Sequence, residues 1–319
     1  MSDLLARGRT YSFEFFPPKT DEAQAQLAAT INELTPLQPS FYSVTYGALG
    51  STRNRTRDVV VDLARNGTIP PVAHLTCVGQ TRTEIDSLLG DYKAAGVVNI
   101  LALGGDLPAD SSQLGPSDFR YALDLVEHLR ANFDVCIGVA AHPEVHPRSV
   151  SREMDRQHLA EKMRLADFAM TQFFFDVEHY RRLLDELAAL GVTKPVIPGV
   201  MPVTNKGQIV KMAQMSGAAL PTWLTDRLAP MEQAEDIRKL GEYAPFTLSK
   251  FTDLRTIETK DVKPEPKAMA KELLRLNDGI LESIAKAQKE ATRADEQGIM
   301  NFLAERDDIE VGCDFCGQQ

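Results

Sequence analysis

Apolar residues in this chain follow two spacings that alternate along most of its length. Short runs rich in β-branched and aromatic residues fall at Thr10–Phe16, Phe41–Tyr46, Pro71–Leu75, Val98–Leu103, Val135–Ala141, Phe168–Phe174 and Pro195–Val200. Most are continuously apolar, the pattern of parallel strands covered on both faces. Between them the spacing becomes helical. Leu27, Ile31 and Leu34 follow Asp21, and Ile85, Leu88, Leu89 and Tyr92 lie between a Thr81/Glu84 capping-box pattern and a stop at Gly96. Tyr180, Leu183, Leu184 and Leu187 lie between a capping Asp176 and Gly191.

Seven such alternations predict a parallel sheet, because parallel neighbours need a crossover of about a dozen residues, usually a helix. A doubly wound sheet and a closed barrel both fit. Two features favour the α/β (β/α)8 TIM barrel. No G-x-G-x-x-G fingerprint follows the first strand, and polar residues stand at many strand ends: Glu14, Thr45, His74, Asp106, His142 and Gln172. Barrel closure gathers such ends at one mouth, whereas an open sheet spreads them along an edge.

The last third is less regular. Pro221–Leu228 reads as a short helix started by Pro221, and Thr247–Val262 is mixed in character. Pro264 and Pro266 precede a helix expected over Lys267–Arg293, with Met269, Leu273, Leu276 and Ile280 at helical spacing. It would pack outside the barrel or against another subunit. Ile299, Phe302 and Leu303 suggest a further short helix, and Ile309–Phe315 is the candidate eighth strand. The expectation is one barrel domain over residues 1–319, with a divergent helical insertion at about 247–307.

Composition narrows the function classes. A chain of 319 residues with 43% hydrophobic content is long enough for one large barrel. No apolar run reaches the roughly 20 residues that span a bilayer, and the N-terminus shows no basic-then-apolar leader. Cys77, Cys136, Cys313 and Cys316 then read as reduced thiols of a cytoplasmic protein. The net charge of −10 argues against nucleic-acid or anionic-membrane partners, which need clustered Lys and Arg. It also implies that local donors would hold any anionic cofactor.

Several segments could carry chemistry. In Phe13-Glu14-Phe15-Phe16-Pro17-Pro18 one carboxylate stands in an aromatic strand. Apolar surroundings disfavour the ionised form and suit a general acid; the plainer alternative is a carboxylate paired with an arginine. Ser43-Val44-Thr45-Tyr46-Gly47-Ala48 closes a strand with a hydroxyl, a phenol and a glycine, which fits close approach of a ligand or a tight turn. His74 ends the third strand. The bare backbone of Gly104-Gly105 before Asp106 can cradle a phosphate or lie against a flat ring, although the same residues also make ordinary turns.

His142, Glu144 and His146 raise a metal reading, but Pro143 and Pro147 break the segment and the i, i+4 spacing of a zinc helix is absent. No metal is expected. Asp155, His158 and Lys162 share one helix face that is either a solvated surface or a grip for a diphosphate and its ribose. Gln172, inside an aromatic strand, needs partners for its amide and suits the edge of a pterin or nicotinamide. Cys313-x-x-Cys316 reads as an incidental pair of thiols.

Taken in order, Phe13–Pro18, Ser43–Ala48, Ala73–Cys77, Gly105–Pro108, Pro143–Pro147, Thr171–Asp176 and Ile197–Asn205 resemble the methylenetetrahydrofolate reductase family in its short bacterial form, over residues 10–230. The resemblance implies an oxidoreductase of one-carbon metabolism in which NADH or NADPH reduces FAD and leaves, after which a folate takes its place and accepts the hydride. Glu14 would be the general acid, Asp106 would sit by flavin and pterin, Gln172 would contact pterin or nicotinamide in turn, and Gln208 would help place the folate. Thr45, Tyr46, Ala48, His74, Gly105, Asp106, His146, Asp155, His158 and Lys162 match flavin-contact positions.

Gly104 and His142 fall at two further flavin contacts, where the family usually has an arginine and often a tyrosine. Losing that arginine would weaken FAD binding by about 1.5–3 kcal/mol, the worth of one charge-assisted hydrogen bond. The family's eighth-strand segment is not recognisable, and Val311–Phe315 is taken to fill its slot. The partners implied are a small-molecule folate and further copies of the chain. Direct hydride transfer from NADH without flavin is the rival enzyme reading. A partner-dependent, non-catalytic barrel subunit is the rival from another class.

Overall fold

The computed structural model describes residues 1–6, 10–46, 53–105, 116–201, 203, 205–231 and 256–259. Eight strands pair in parallel and close into a barrel in chain order. They are β1 (Thr10–Phe15), β2 (Phe41–Val44), β3 (Pro71–Thr76), β4 (Asn99–Leu103), β5 (Cys136–Ala141), β6 (Phe168–Phe173), β7 (Val196–Val200) and β8 (Thr256–Thr259). Closure rules out the doubly wound alternative. Helices α1 (Ser2–Ala6), α2 (Asp21–Leu34), α3 (Arg53–Asn66), α4 (Arg82–Ala95), α5 (Ala122–Asn132), α6 (Arg152–Leu165), α7 (Val177–Ala189), α8 (Lys206–Ser216) and α9 (Thr222–Leu228) complete the described chain.

The eighth strand is not at Ile309–Phe315. Thr256–Thr259 pairs with β7 on one side and with β1 on the other, Gly199 opposite Glu258 and Phe13 opposite Thr259. It lies inside the stretch expected to be a helical insertion. A four-residue strand with one aliphatic residue, Ile257, carries little periodic signal; its neighbours on both sides define it. The expected helices at Lys267–Arg293 and around Phe302, and Cys313 and Cys316, lie outside the described residues.

Local signals explain where the other elements start and stop. Thr81 Oγ1 accepts from Glu84 N while Glu84 Oε2 accepts from Thr81 N at 2.8 Å, and α4 ends at Gly96 with φ +82°, the left-handed value that glycine adopts without penalty. Asp176 Oδ1 caps α7 through Glu178 N at 3.0 Å. Pro221 is the cap of α9, not its first residue.

Side chains divide by strand alternation. Phe13, Phe15, Tyr42, Val44, Ala73, Leu75, Ile100 and Ala102 face outward and pack under helix residues such as Leu34, Val60, Ile85, Leu89 and Leu129. The floor of the barrel is filled by Phe41, Val72, Leu101, Phe168, Met170 and Ile197, with Met1 and, from α1, Leu5 against them. Gly138 makes room there: a Cβ on it would sit 2.4 Å from the Phe168 ring and 2.9 Å from Leu101. Glu14 lies between outward-facing Phe13 and Phe15, and His74 between outward-facing Ala73 and Leu75, so the alternation sends both polar side chains inward.

Candidate active site

The inward direction brings Glu14 and His74 together. Glu14 Oε2 lies 3.4 Å from His74 Nε2, and Ser43 Oγ donates to the same oxygen at 3.5 Å. Both acid and imidazole are buried. A histidine and a hydroxyl are thus partners of the carboxyl group.

The loop after β5 carries the two histidines. The His142 and His146 rings meet edge to face with centroids 4.5 Å apart. Glu144 does not join them, because its Oε1 accepts from Ala219 N at 3.1 Å. Among the described residues no group of three or more His, Cys, Asp or Glu could hold a metal ion. One buried guanidinium shapes this loop. Arg156, 3% exposed, donates to the carbonyls of His142 (3.1 Å), Pro143 (2.8 Å) and Glu144 (3.1 Å), and to Glu186 Oε2 on α7 (2.6 Å). It also pairs with Asp155. A guanidinium has five donors in a fixed fork, so a single side chain fixes three successive carbonyls.

Arg156 was not among the candidates evident from the sequence. Its signal was present: with Leu159, Ala160 and Met163 it shares the buried stripe of α6, and an arginine on an apolar stripe needs partners.

The Asp155, His158 and Lys162 face is only partly a surface. Asp155 Oδ1 accepts from His146 N at 3.2 Å, and Lys162 Nζ donates to Ala140 O of β5 at 3.3 Å. Burial lowers the Lys162 pKa from its ordinary value, partly offset by Asp155. His158 is exposed.

At the tip of β4, Gly105 has φ +84°, and a Cβ there would stand 2.5 Å from Val78. Glycine is required at that position. Gly104 O accepts from the buried Cys77 thiol at 3.3 Å. Thr45 extends the β1–β2 pairing through its N–H to Phe15 O at 2.9 Å. Tyr46 directs its hydroxyl to Gln80 Oε1 at 3.5 Å, and burial raises its pKa against the opposing charge of Arg53. Gln80, buried and bonded to Thr76 O, is another residue the sequence did not single out.

Gln172 sits where the β6–β7 register shifts between Met170 and Phe173. Its Oε1 accepts from Phe173 N at 3.0 Å. A register shift in one strand re-aims a side chain without disturbing its neighbours. Gln208 stands in the first turn of α8, and its amide runs along the helix to Met212 Sδ at 3.9 Å; no described contact joins it to Glu14 or Gln172. Ala48 and Asp106 lie outside the described residues.

Comparison with known proteins settles what kind of barrel this is. The family model for methylenetetrahydrofolate reductase matches residues 1–244. The chain belongs to the methylenetetrahydrofolate reductase family. It is 39% identical over 230 residues to the 5,10-methylenetetrahydrofolate reductase of Pectobacterium carotovorum, covering 72% of this chain and 76% of that protein. The Escherichia coli enzyme of the same name is 40% identical over the same shares. Among solved structures, an uncharacterized protein from Clostridium thermocellum that binds two copies of 5-methyl-5,6,7,8-tetrahydrofolic acid superposes with a TM-score of 0.55 at 15% identity, over 85% of this chain and 96% of that one. At that identity the likeness shows the barrel fold alone. As a methylenetetrahydrofolate reductase family member the chain is an enzyme, and the match reaches past the segment in which the motifs were recognised.

Proposed function

We propose that this enzyme reduces 5,10-methylenetetrahydrofolate to 5-methyltetrahydrofolate with hydride from NADH or NADPH, carried by bound FAD in a ping-pong sequence. Family membership at about 40% identity supports the reaction class. The observation that carries the chemistry is Glu14, held inside the barrel against His74 and Ser43.

The residues present fit a flavin nucleotide. Among the described residues no atom lies nearer than 3.8 Å to a Cβ built on Gly104, which leaves bare backbone at the β4 tip. The β5–α6 side supplies His142, His146, Asp155 and Lys162, with His158 exposed on α6. When bound, FAD would accept hydride from the nicotinamide and deliver it to the folate.

The chain's own groups do the rest. Glu14 in its acid form donates its proton to N10 of the folate as the N10–methylene bond breaks, leaving an N5 iminium whose methylene carbon accepts the hydride. The carboxylate that remains beside the iminium stabilises its positive charge. His74, in contact with that carboxylate, can return a proton from solvent and reset the acid. Gln172 presents amide N–H groups to the pterin edge in one half-reaction and to the nicotinamide in the other. Gln208 would place the folate from α8, and Asp106 would stand beside flavin and pterin.

The test is optical. Freshly purified enzyme should show a flavin spectrum that NADH or NADPH bleaches without oxygen and that methylenetetrahydrofolate restores. Colourless protein that still oxidises NADH with the folate would replace flavin by direct hydride transfer. No turnover with either donor would overturn the reading.

A further inference from the structure

Arg148, in the β5–α6 loop, reaches across the mouth to the tip of β4. Its guanidinium donates to Gly105 O at 3.3 Å and lies 3.8 Å from where a Cβ on Gly104 would be. The absent side chain of Gly104 therefore leaves the space beside that guanidinium. The backbone under Arg148 is built, not loose. Its own N–H donates to His146 Nδ1 at 3.0 Å, Glu144 ties the loop to Ala219, and Pro147 packs against Gly217, where a Cβ would come within 2.6 Å. Arg148 is exposed, and among the described residues no carboxylate forms an ion pair with it, whereas Arg152 and Arg156 of the following helix both pair with Glu186.

We propose that Arg148 is the anion-holding side chain of this mouth and binds the diphosphate of the flavin dinucleotide. In an acidic chain, a phosphate must find its counter-charge locally. Arg148 offers a charged, forked donor set that, among the described residues, spends one side-chain N–H on protein, next to bare backbone on which a nucleotide can lie close. A guanidinium matches two phosphate oxygens at once. The inference rests on the flavin reading above.

The experiment measures dissociation constants of apoprotein for FAD and for riboflavin, by quenching of flavin fluorescence, in wild type, R148A and R148K. Arg148→Ala should weaken FAD about tenfold or more, the worth of a charge-assisted hydrogen bond, and leave riboflavin, which has no phosphate, unchanged. Arg148→Lys should fall between. Added salt should loosen FAD more steeply in wild type than in R148A, because exposed charges are screened. Unchanged FAD affinity in R148A, equal loss for FAD and riboflavin, or equal salt dependence would overturn the role of Arg148 while leaving the flavin reading intact. Folded wild-type protein that binds no FAD would overturn both.

Discussion

Glu14 and His74 belong to strands that are not neighbours, β1 and β3, yet their side chains touch at 3.4 Å inside the barrel. Only inward projection from alternate strands allows that contact. If Glu14 is the proposed acid, the two half-reactions should separate when it is altered.

Glu14→Gln keeps the shape of the side chain and removes the transferable proton. Reduction of bound flavin by NADH should stay within a few-fold of wild type, while reoxidation by methylenetetrahydrofolate should slow by about 10²-fold or more, the usual contribution of a positioned acid. Stopped-flow absorbance reads both steps. Equal loss in both would remove Glu14 from its assigned role.

Arg156→Met should lower the stability of the native state by about 3 kcal/mol, because three loop carbonyls and Glu186 lose a buried donor. Urea unfolding measures the loss. The double variant R156M/E186M should recover part of it, since Asp155 is then the one carboxylate among Arg156's described ion-pair partners left facing the vacated position.

Gly138→Ala should destabilise by about 1–3 kcal/mol, the cost of overpacking a filled interior, because the added methyl overlaps the Phe168 ring at 2.4 Å. Pairing it with Phe168→Leu should cost less than the sum of the two single changes. Additive losses would show that the two residues do not compete for one space.

Burial pushes the Cys77 thiol from an ordinary value of 9.0 up to about 11. A group that holds its proton more tightly when folded stabilises the fold fully below pH 9 and loses that contribution as pH rises toward 11. Stability should therefore fall across this window less steeply in Cys77→Ala than in wild type. Mass spectrometry after brief iodoacetamide treatment at pH 8.5 should find Cys77 unmodified in the native protein.

The sequence revealed the barrel because its strands are apolar and its helices are capped. Glu14 and Gln172 stood out as polar residues in aromatic strands. Partnership was harder to read: Glu14 was read as a general acid or as the partner of an arginine, and the histidine it touches lies about sixty positions away. Gly104 read as the loss of a cation, yet the guanidinium of Arg148 lies beside it, supplied by another loop. A motif aligned position by position does not register a charge that moves between loops. β8 was hidden because its strand character comes from pairing, and Arg156 because a charged residue on a helix usually faces solvent.

The grip of Arg156 on three successive carbonyls means that the histidine loop takes its working shape when the chain folds. A nucleotide arriving at the mouth would then meet a surface already in register, so little chain entropy is lost at capture. Exchange of one ligand for the next could proceed without the loop first having to reorder.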